Sequence, residues 1–157
     1  MKRQIFVLLL LAVLLLSACG TRAPVQKELF AMDTVFSLKV WGDEAALDAI
    51  SDELTRLDAL LDATDAESAI GRLNAGEPLD GEAAMLVRQA VDYSEATGDA
   101  FDPTVYPLVR LWGFTDETQR VPSDAEIAAA LTKIGTDQVQ LGENAVSLHP
   151  GAAIDLG

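Results

Sequence analysis

Two hydrophobic periods meet at Gly42. Phe30, Met32, Thr34, Phe36, Leu38 and Val40 alternate with period two, which predicts a strand over about residues 29–41. Gly42 and Asp43 break that pattern. Leu47, Ile50, Leu54, Leu57 and Leu61 then step by three and four residues, the apolar stripe of one helix with Asp43 as its N-cap. A switch of period over so few residues excludes an all-α or all-β domain. The rest of the chain keeps mixing the two. Thr64–Gly76 is polar and small, anchored by Ile70 and Leu73. Gly81–Thr97 reads as a second helix closed by Gly98. Pro103 and Pro107 forbid a simple helix across Asp99–Phe114. Ser123 and Glu126 form a capping box for a third helix that ends before Gly135. Gln138–Leu148 reads as a hairpin turning at Gly142–Asn144, and Ala152–Leu156 as the start of another strand. The class expected is α+β, a mixed sheet with packed helices, with no repeat or linker inside 28–157.

The first residues read as an address, not as fold. Lys2 and Arg3 precede an unbroken apolar run, Ile5–Leu16. That run is shorter than the ~20 residues a membrane-spanning helix needs and fits the apolar region of a signal peptide. Leu16-Ser17-Ala18-Cys19 follows directly and resembles a bacterial lipobox. On this reading residues 1–18 are removed, Cys19 is acylated, and 19–27 is a lipidated tether. Two or more acyl chains hold a domain firmly on a membrane surface. A lipid-anchored protein facing the periplasm or the cell exterior is therefore expected.

Charge and rare residues narrow the chemistry. With 25 acidic and 11 basic residues the formal net charge is −14, which argues against nucleic acid as a partner, because phosphate binding needs clustered Lys and Arg. A single cysteine excludes an internal disulfide and any cysteine-cluster metal site. The lone histidine, His149, sits before Pro150-Gly151 and reads as a turn residue, so a Ser-His-Asp triad has little support. Oxygen-ligated Mg²⁺ remains open. The glycine-rich dinucleotide motif, the P-loop, the nucleophile elbow and the zinc-protease motif are all missing.

What remains is an ordered set of short segments: Ala31-Met32-Asp33-Thr34, Ser68-Ala69-Ile70-Gly71-Arg72-Leu73-Asn74, Ala100-Phe101-Asp102-Pro103-Thr104-Val105, Pro107-Leu108-Val109-Arg110-Leu111-Trp112-Gly113-Phe114, and Ile154-Asp155-Leu156-Gly157. Singly these are weak signals. Together and in this order the chain resembles the ApbE family, the bacterial FAD:protein FMN transferases, from about residue 28 onward. The resemblance implies an ApbE-type fold related to T-folds, of which 28–157 would be the N-terminal part. It implies FAD as substrate, Mg²⁺ as cofactor, and transfer of FMN to Thr or Ser of target flavoproteins. The targets implied are subunits of sodium-pumping quinone reductases or Rnf-type electron-transfer complexes.

Residue by residue, the resemblance implies that Met32 contacts flavin, with Asp33 standing where the family has glycine. Thr64 falls where many members have a stacking tyrosine, and a threonine cannot stack. Ala100, Phe101 and Asp102 match a segment that touches FAD, and Asp155 matches a cofactor-contacting aspartate. No catalytic residue is assigned. No metal ligand is expected within this chain, since the family takes its ligands after the I-D-L-G segment. Plainer readings stand beside these. Met32 and Phe101 suit core packing, Asp102 before Pro103 suits a turn, Arg72 and Asn74 suit a loop tie, and Trp112 and Phe114 read as core. The chain alone is expected to be weak or inactive in transfer; a flavin-binding or trafficking lipoprotein and an FAD pyrophosphatase are the alternatives. Intact mass of the natural protein from the membrane fraction checks the processing: about 15–16 kDa for the mature chain with lipid on Cys19, and near twice that for a longer transferase.

Overall fold

The computed structural model describes residues 23–116 and 118–156. The stretch read as a signal peptide, residues 1–18, and Cys19 lie outside them. The alternating segment is not one strand. It is an antiparallel hairpin of β1 (Val25–Ala31) and β2 (Thr34–Val40), paired from Val25 opposite Val40 to Ala31 opposite Thr34. β1 thus begins inside the stretch read as tether. The two-residue turn, Met32-Asp33, has φ of +50° and +52°, the left-handed pair of a type I′ hairpin turn. That turn resets the side-chain parity. Leu29 and Ala31 share a face with Phe36, Leu38 and Val40, whereas Phe30 points to the open face and is 66% exposed. The sequence carries none of the Asn or Gly that normally announces such a turn, so the alternation reads straight through it. Each non-glycine residue held there costs on the order of 1–2 kcal/mol, so contacts elsewhere must hold the turn.

The helix expected after Gly42 is α1 (Glu44–Leu61), capped by Asp43, whose carboxylate accepts from the Ala46 amide at 3.0 Å. It packs on the hairpin and buries Leu47 and Ser51, while Ile50 in the expected stripe stays 39% exposed. The polar stretch that follows contains a short helix, α2 (Ala69–Asn74), capped by Ser68. Next come α3 (Gly81–Ala96), ended by Gly98 at φ +63°, and a 3-10 turn at Pro103–Val105 that leads into α4 (Tyr106–Leu111). The two prolines fall in the first turns of these short elements, where a missing N–H costs nothing. α5 (Asp124–Leu131) carries the expected capping box, Ser123 with Glu126. β3 (Val139–Leu141) and β4 (Val146–Leu148) form the second hairpin. The class is α+β, and the sheets among the described residues are these two antiparallel pairs.

One core lies between α2, α3 and the second hairpin. Ile70, Leu73, Val87, Val146 and Ile154 are completely or almost completely buried there, with Ala69, Leu79, Ala83, Ala84, Val91 and Val139 around them. Leu79 exchanges two backbone hydrogen bonds of 2.8 Å with Val146, closing the outer side of β4. Residues 152–156 are not a strand. The Asn74 side chain accepts from the Ile154 amide at 2.8 Å and donates to the Ile154 carbonyl at 2.9 Å, and the Asp155 amide donates to the Pro103 carbonyl at 2.9 Å. A side-chain amide and one loop carbonyl thus take the place of a neighbouring strand. Trp112 and Phe114 stack in parallel with ring centres 6.4 Å apart, but Phe114 is 64% exposed and is not a core residue.

α2 turns so tightly against the preceding loop that a Cβ on Gly71 would lie 1.9 Å from the Asp65 carbonyl oxygen. Backbone on both sides leaves no flexible group to give way. Gly71→Ala should therefore lose about 1–3 kcal/mol of stability, read as a drop in the urea midpoint with unchanged slope.

Candidate functional site

The last turn of α1 carries two carboxylates one turn apart, and each holds a different piece of backbone. Asp58 accepts from the Met32 amide at 2.8 Å, tying the hairpin turn to the helix. Asp62 ends the helix and folds the chain back on itself. One of its oxygens accepts from the Thr64 amide and the Thr64 hydroxyl, both at 2.7 Å, and from the Asp65 amide at 3.3 Å. The residue between, Ala63, is fixed from the other side: the buried Tyr106 hydroxyl donates to its carbonyl at 2.9 Å. Asp155 arrives on the segment that Asn74 and Pro103 hold in place.

These pieces enclose a cleft of about 350 Å³ lined by Met32, Asp33, Asp58, Leu61, Asp62, Ala63, Thr64 and Asp155. Three residues singled out from the sequence, Met32, Thr64 and Asp155, therefore meet in one place although up to 123 positions separate them. A neighbouring apolar hollow of about 420 Å³ is lined by Leu61, Leu86, Gln89, Ala90, Tyr93, Phe101 and Leu156. Phe101 packs edge-on against Tyr93 there, with ring centres 5.9 Å apart. Leu61 lines both spaces, and Asp155 and Leu156 run from one to the other. Ala100 and Asp102 line neither cavity. Asp102 caps the 3-10 turn, accepting from the Thr104 amide at 2.8 Å and the Thr104 hydroxyl at 2.6 Å. Arg72 donates to the Glu67 carbonyl, and Asn74 joins its loop to Ile154, so both act as structural ties.

The cleft is acidic. Hydrogen bonds from the Thr64 hydroxyl, then from the Thr64 and Asp65 amides, hold the Asp62 carboxyl below the usual carboxylate range, with partial burial opposing. Burial pushes the Tyr106 phenol up; Arg110 opposes, and Asp155 and Asp62 add to the rise. Because the Thr64 hydroxyl donates to Asp62, it presents lone pairs to anything in the cleft. Met32, Leu61 and Ala63 supply apolar wall, and the carboxylates accept hydrogen bonds from hydroxyl or ring N–H groups. That mixture suits a flat, polar-edged ring system. Among the described residues no three His, Cys, Asp or Glu side chains stand close enough to hold one.

Residues 32–157 match the ApbE family. The chain belongs to that family. It is 34% identical over 126 residues to the FAD:protein FMN transferase of Salmonella typhimurium, a match covering 73% of this chain and 36% of that protein. The Treponema pallidum protein of the same name is 28% identical over 138 residues, covering 79% of this chain and 38% of its own length. Among solved structures, the ApbE protein of Thermotoga maritima superposes with a TM-score of 0.78 at 32% identity, over 85% of this chain and 47% of that one. The flavin transferase ApbE of Vibrio cholerae gives 0.71 at 26% identity, over 85% and 48%. The chain spans somewhat over a third of the curated relatives and about half of the solved ones.

Asp58, Asp62 and Tyr106 were not singled out from the sequence. Asp58 and Asp62 are two more acids on a helix already rich in them, and Tyr106 lies between the prolines with nothing to mark its reach to Ala63. The depressed Asp62 value sets a pH dependence. Its folded-state pKa lies below the unfolded one, so its contribution is present above the ordinary value near ~3.9 and is lost as pH falls through the folded value. Asp62→Ala should therefore be less stable than wild type at neutral pH, and the gap in denaturation midpoint should close at acid pH.

Proposed function

We propose that this chain carries the flavin-binding cleft of an FAD:protein FMN transferase. The observation that carries the reading is the convergence of Met32, Thr64 and Asp155 on one cleft in a member of the ApbE family. Met32 and Leu61 form the apolar wall against the flavin ring, and Asp155 accepts a hydrogen bond from the cofactor. The hollow at Phe101 takes a further part of the same extended molecule. Thr64 has no ring, so the flavin is held by the Met32 side and by polar edges instead of by stacking. Ala100 and Asp102 act by shaping the turn that carries Phe101.

The reaction proposed is displacement at phosphorus. A Thr or Ser hydroxyl oxygen of the target attacks the FMN phosphorus of FAD, the pyrophosphate P–O bond breaks, AMP leaves, and the hydroxyl proton passes to solvent. When bound, Mg²⁺ would neutralise charge on the pyrophosphate. Its ligands are proposed to lie outside the described residues. Subunits of quinone reductases or Rnf-type complexes are the proposed targets. Attachment through an acylated Cys19 would place the cleft at the membrane surface where such subunits sit.

The test compares residues 20–157 with a version extended to the length of the relatives, each given FAD, Mg²⁺ and a target subunit. Denaturation-resistant flavin fluorescence on the target, with AMP released in equal amount, is expected from the extended protein and not from 20–157. FMN and AMP without labelled target would favour the pyrophosphatase reading. FAD binding with no cleavage would favour a flavin carrier.

A further inference from the structure

We propose that Asp58 is a positioning residue of the cleft, holding the strained Met32-Asp33 turn so that the Met32 side chain faces the ligand; the inference rests on the flavin-cleft reading above. The turn needs two consecutive residues in the left-handed region, and both are non-glycine, at φ +50° and +52°. Such a conformation persists only when the surroundings over-determine it. The hairpin itself supplies the Ala31–Thr34 pairing. The tie from the turn to the helix is the 2.8 Å bond from the Met32 amide to Asp58 Oδ1. That acceptor sits on a long, regular helix, one turn before the carboxylate that fixes Thr64. The end of α1 therefore sets the distance between two walls of the cleft, Met32 on one and Thr64 on the other. A carboxylate suits this place better than a hydroxyl, because an ionised acceptor makes the stronger bond to a backbone N–H.

The role differs from ligand contact in what would restore it. Asparagine at position 58 keeps an accepting oxygen and loses the charge. Glycine at position 33 adopts positive φ freely, so it relieves one of the two strained positions and the turn depends less on being held. In the full chain, Asp58→Ala should weaken FAD binding about tenfold, the scale of one lost hydrogen bond to a charged group. Asp58→Asn should recover most of that affinity, and Asp33→Gly added to Asp58→Ala should recover part of it. Amide hydrogen exchange gives a readout that needs no ligand. The Met32 amide should be protected in wild type and in Asp58→Asn, and exchange faster in Asp58→Ala. The proposal is overturned if Asp58→Ala leaves both Met32 exchange and FAD affinity unchanged. It is equally overturned if Asp58→Asn binds as poorly as Asp58→Ala and Asp33→Gly restores nothing, since that pattern marks direct contact with the ligand. If no form binds FAD, the flavin reading falls. The exchange rates then decide alone: faster Met32 exchange in Asp58→Ala supports the hold on the turn, and unchanged exchange overturns it.

Discussion

The side-chain amide of Asn74 stands in for a β-strand. It accepts from the Ile154 amide and donates to the Ile154 carbonyl, as a neighbouring strand would, across 80 positions of sequence. Ile154 is completely buried, and a buried backbone N–H or C=O without a partner costs about 1–3 kcal/mol. Without Asn74 that cost would fall in the middle of the core. With it, segment 152–156 can run through the core outside any sheet. Ile154 seals the space between α2 and α3, and the next residue delivers its carboxylate to the cleft. The core and the candidate site thus depend on the same pair of hydrogen bonds.

The cleft is made of ends: a hairpin turn, the last turn of a helix, a loop and an extended segment. None of these is rigid by itself. Three of them are held by side chains: the turn by Asp58, the loop at Ala63-Thr64 by Asp62 and Tyr106, and the segment by Asn74. Regular elements supply the fixing groups and irregular ones supply the lining. Surface ion pairs add little beside this. Arg56 bridges Glu53 and Glu82 between α1 and α3 with all three side chains about half exposed, a setting in which such pairs are worth ~0–1 kcal/mol.

The long elements were legible because their signals are local. Asp43, Ser123 with Glu126, and Gly98 mark helix ends by chemistry confined to one turn, and all three do so in the structure. The hairpin hidden in residues 25–40 was not legible. Alternation cannot show where a chain reverses, and the only turn signal in Met-Asp is the weak one of the aspartate, which tolerates the left-handed region. Three of the residues matched to the family's cofactor contacts share the cleft, and Phe101 lines the space beside it. The residues that hold them there stayed hidden, since nothing local distinguishes Asp58 or Asp62 from the other acids of the same helix.

By itself the sequence determined class and kinship. Two hydrophobic periods in one chain dictate α+β, and the ordered segments from Met32 to Asp155 are those of the ApbE family. Both are properties of residue order, which periodicity and spacing preserve. Only the tertiary structure decided that the alternating segment folds back at Met32-Asp33, that residues 152–156 pair with a side chain in place of a strand, and that Asp102 caps a turn outside the cleft. The first two depend on partners 26 and 80 positions away, Asp58 and Asn74, and a hydrogen bond across such a distance leaves no mark on the residues beside it; the bond of Asp102 to Thr104 is local, but its place relative to the cleft is set by the packing of distant segments.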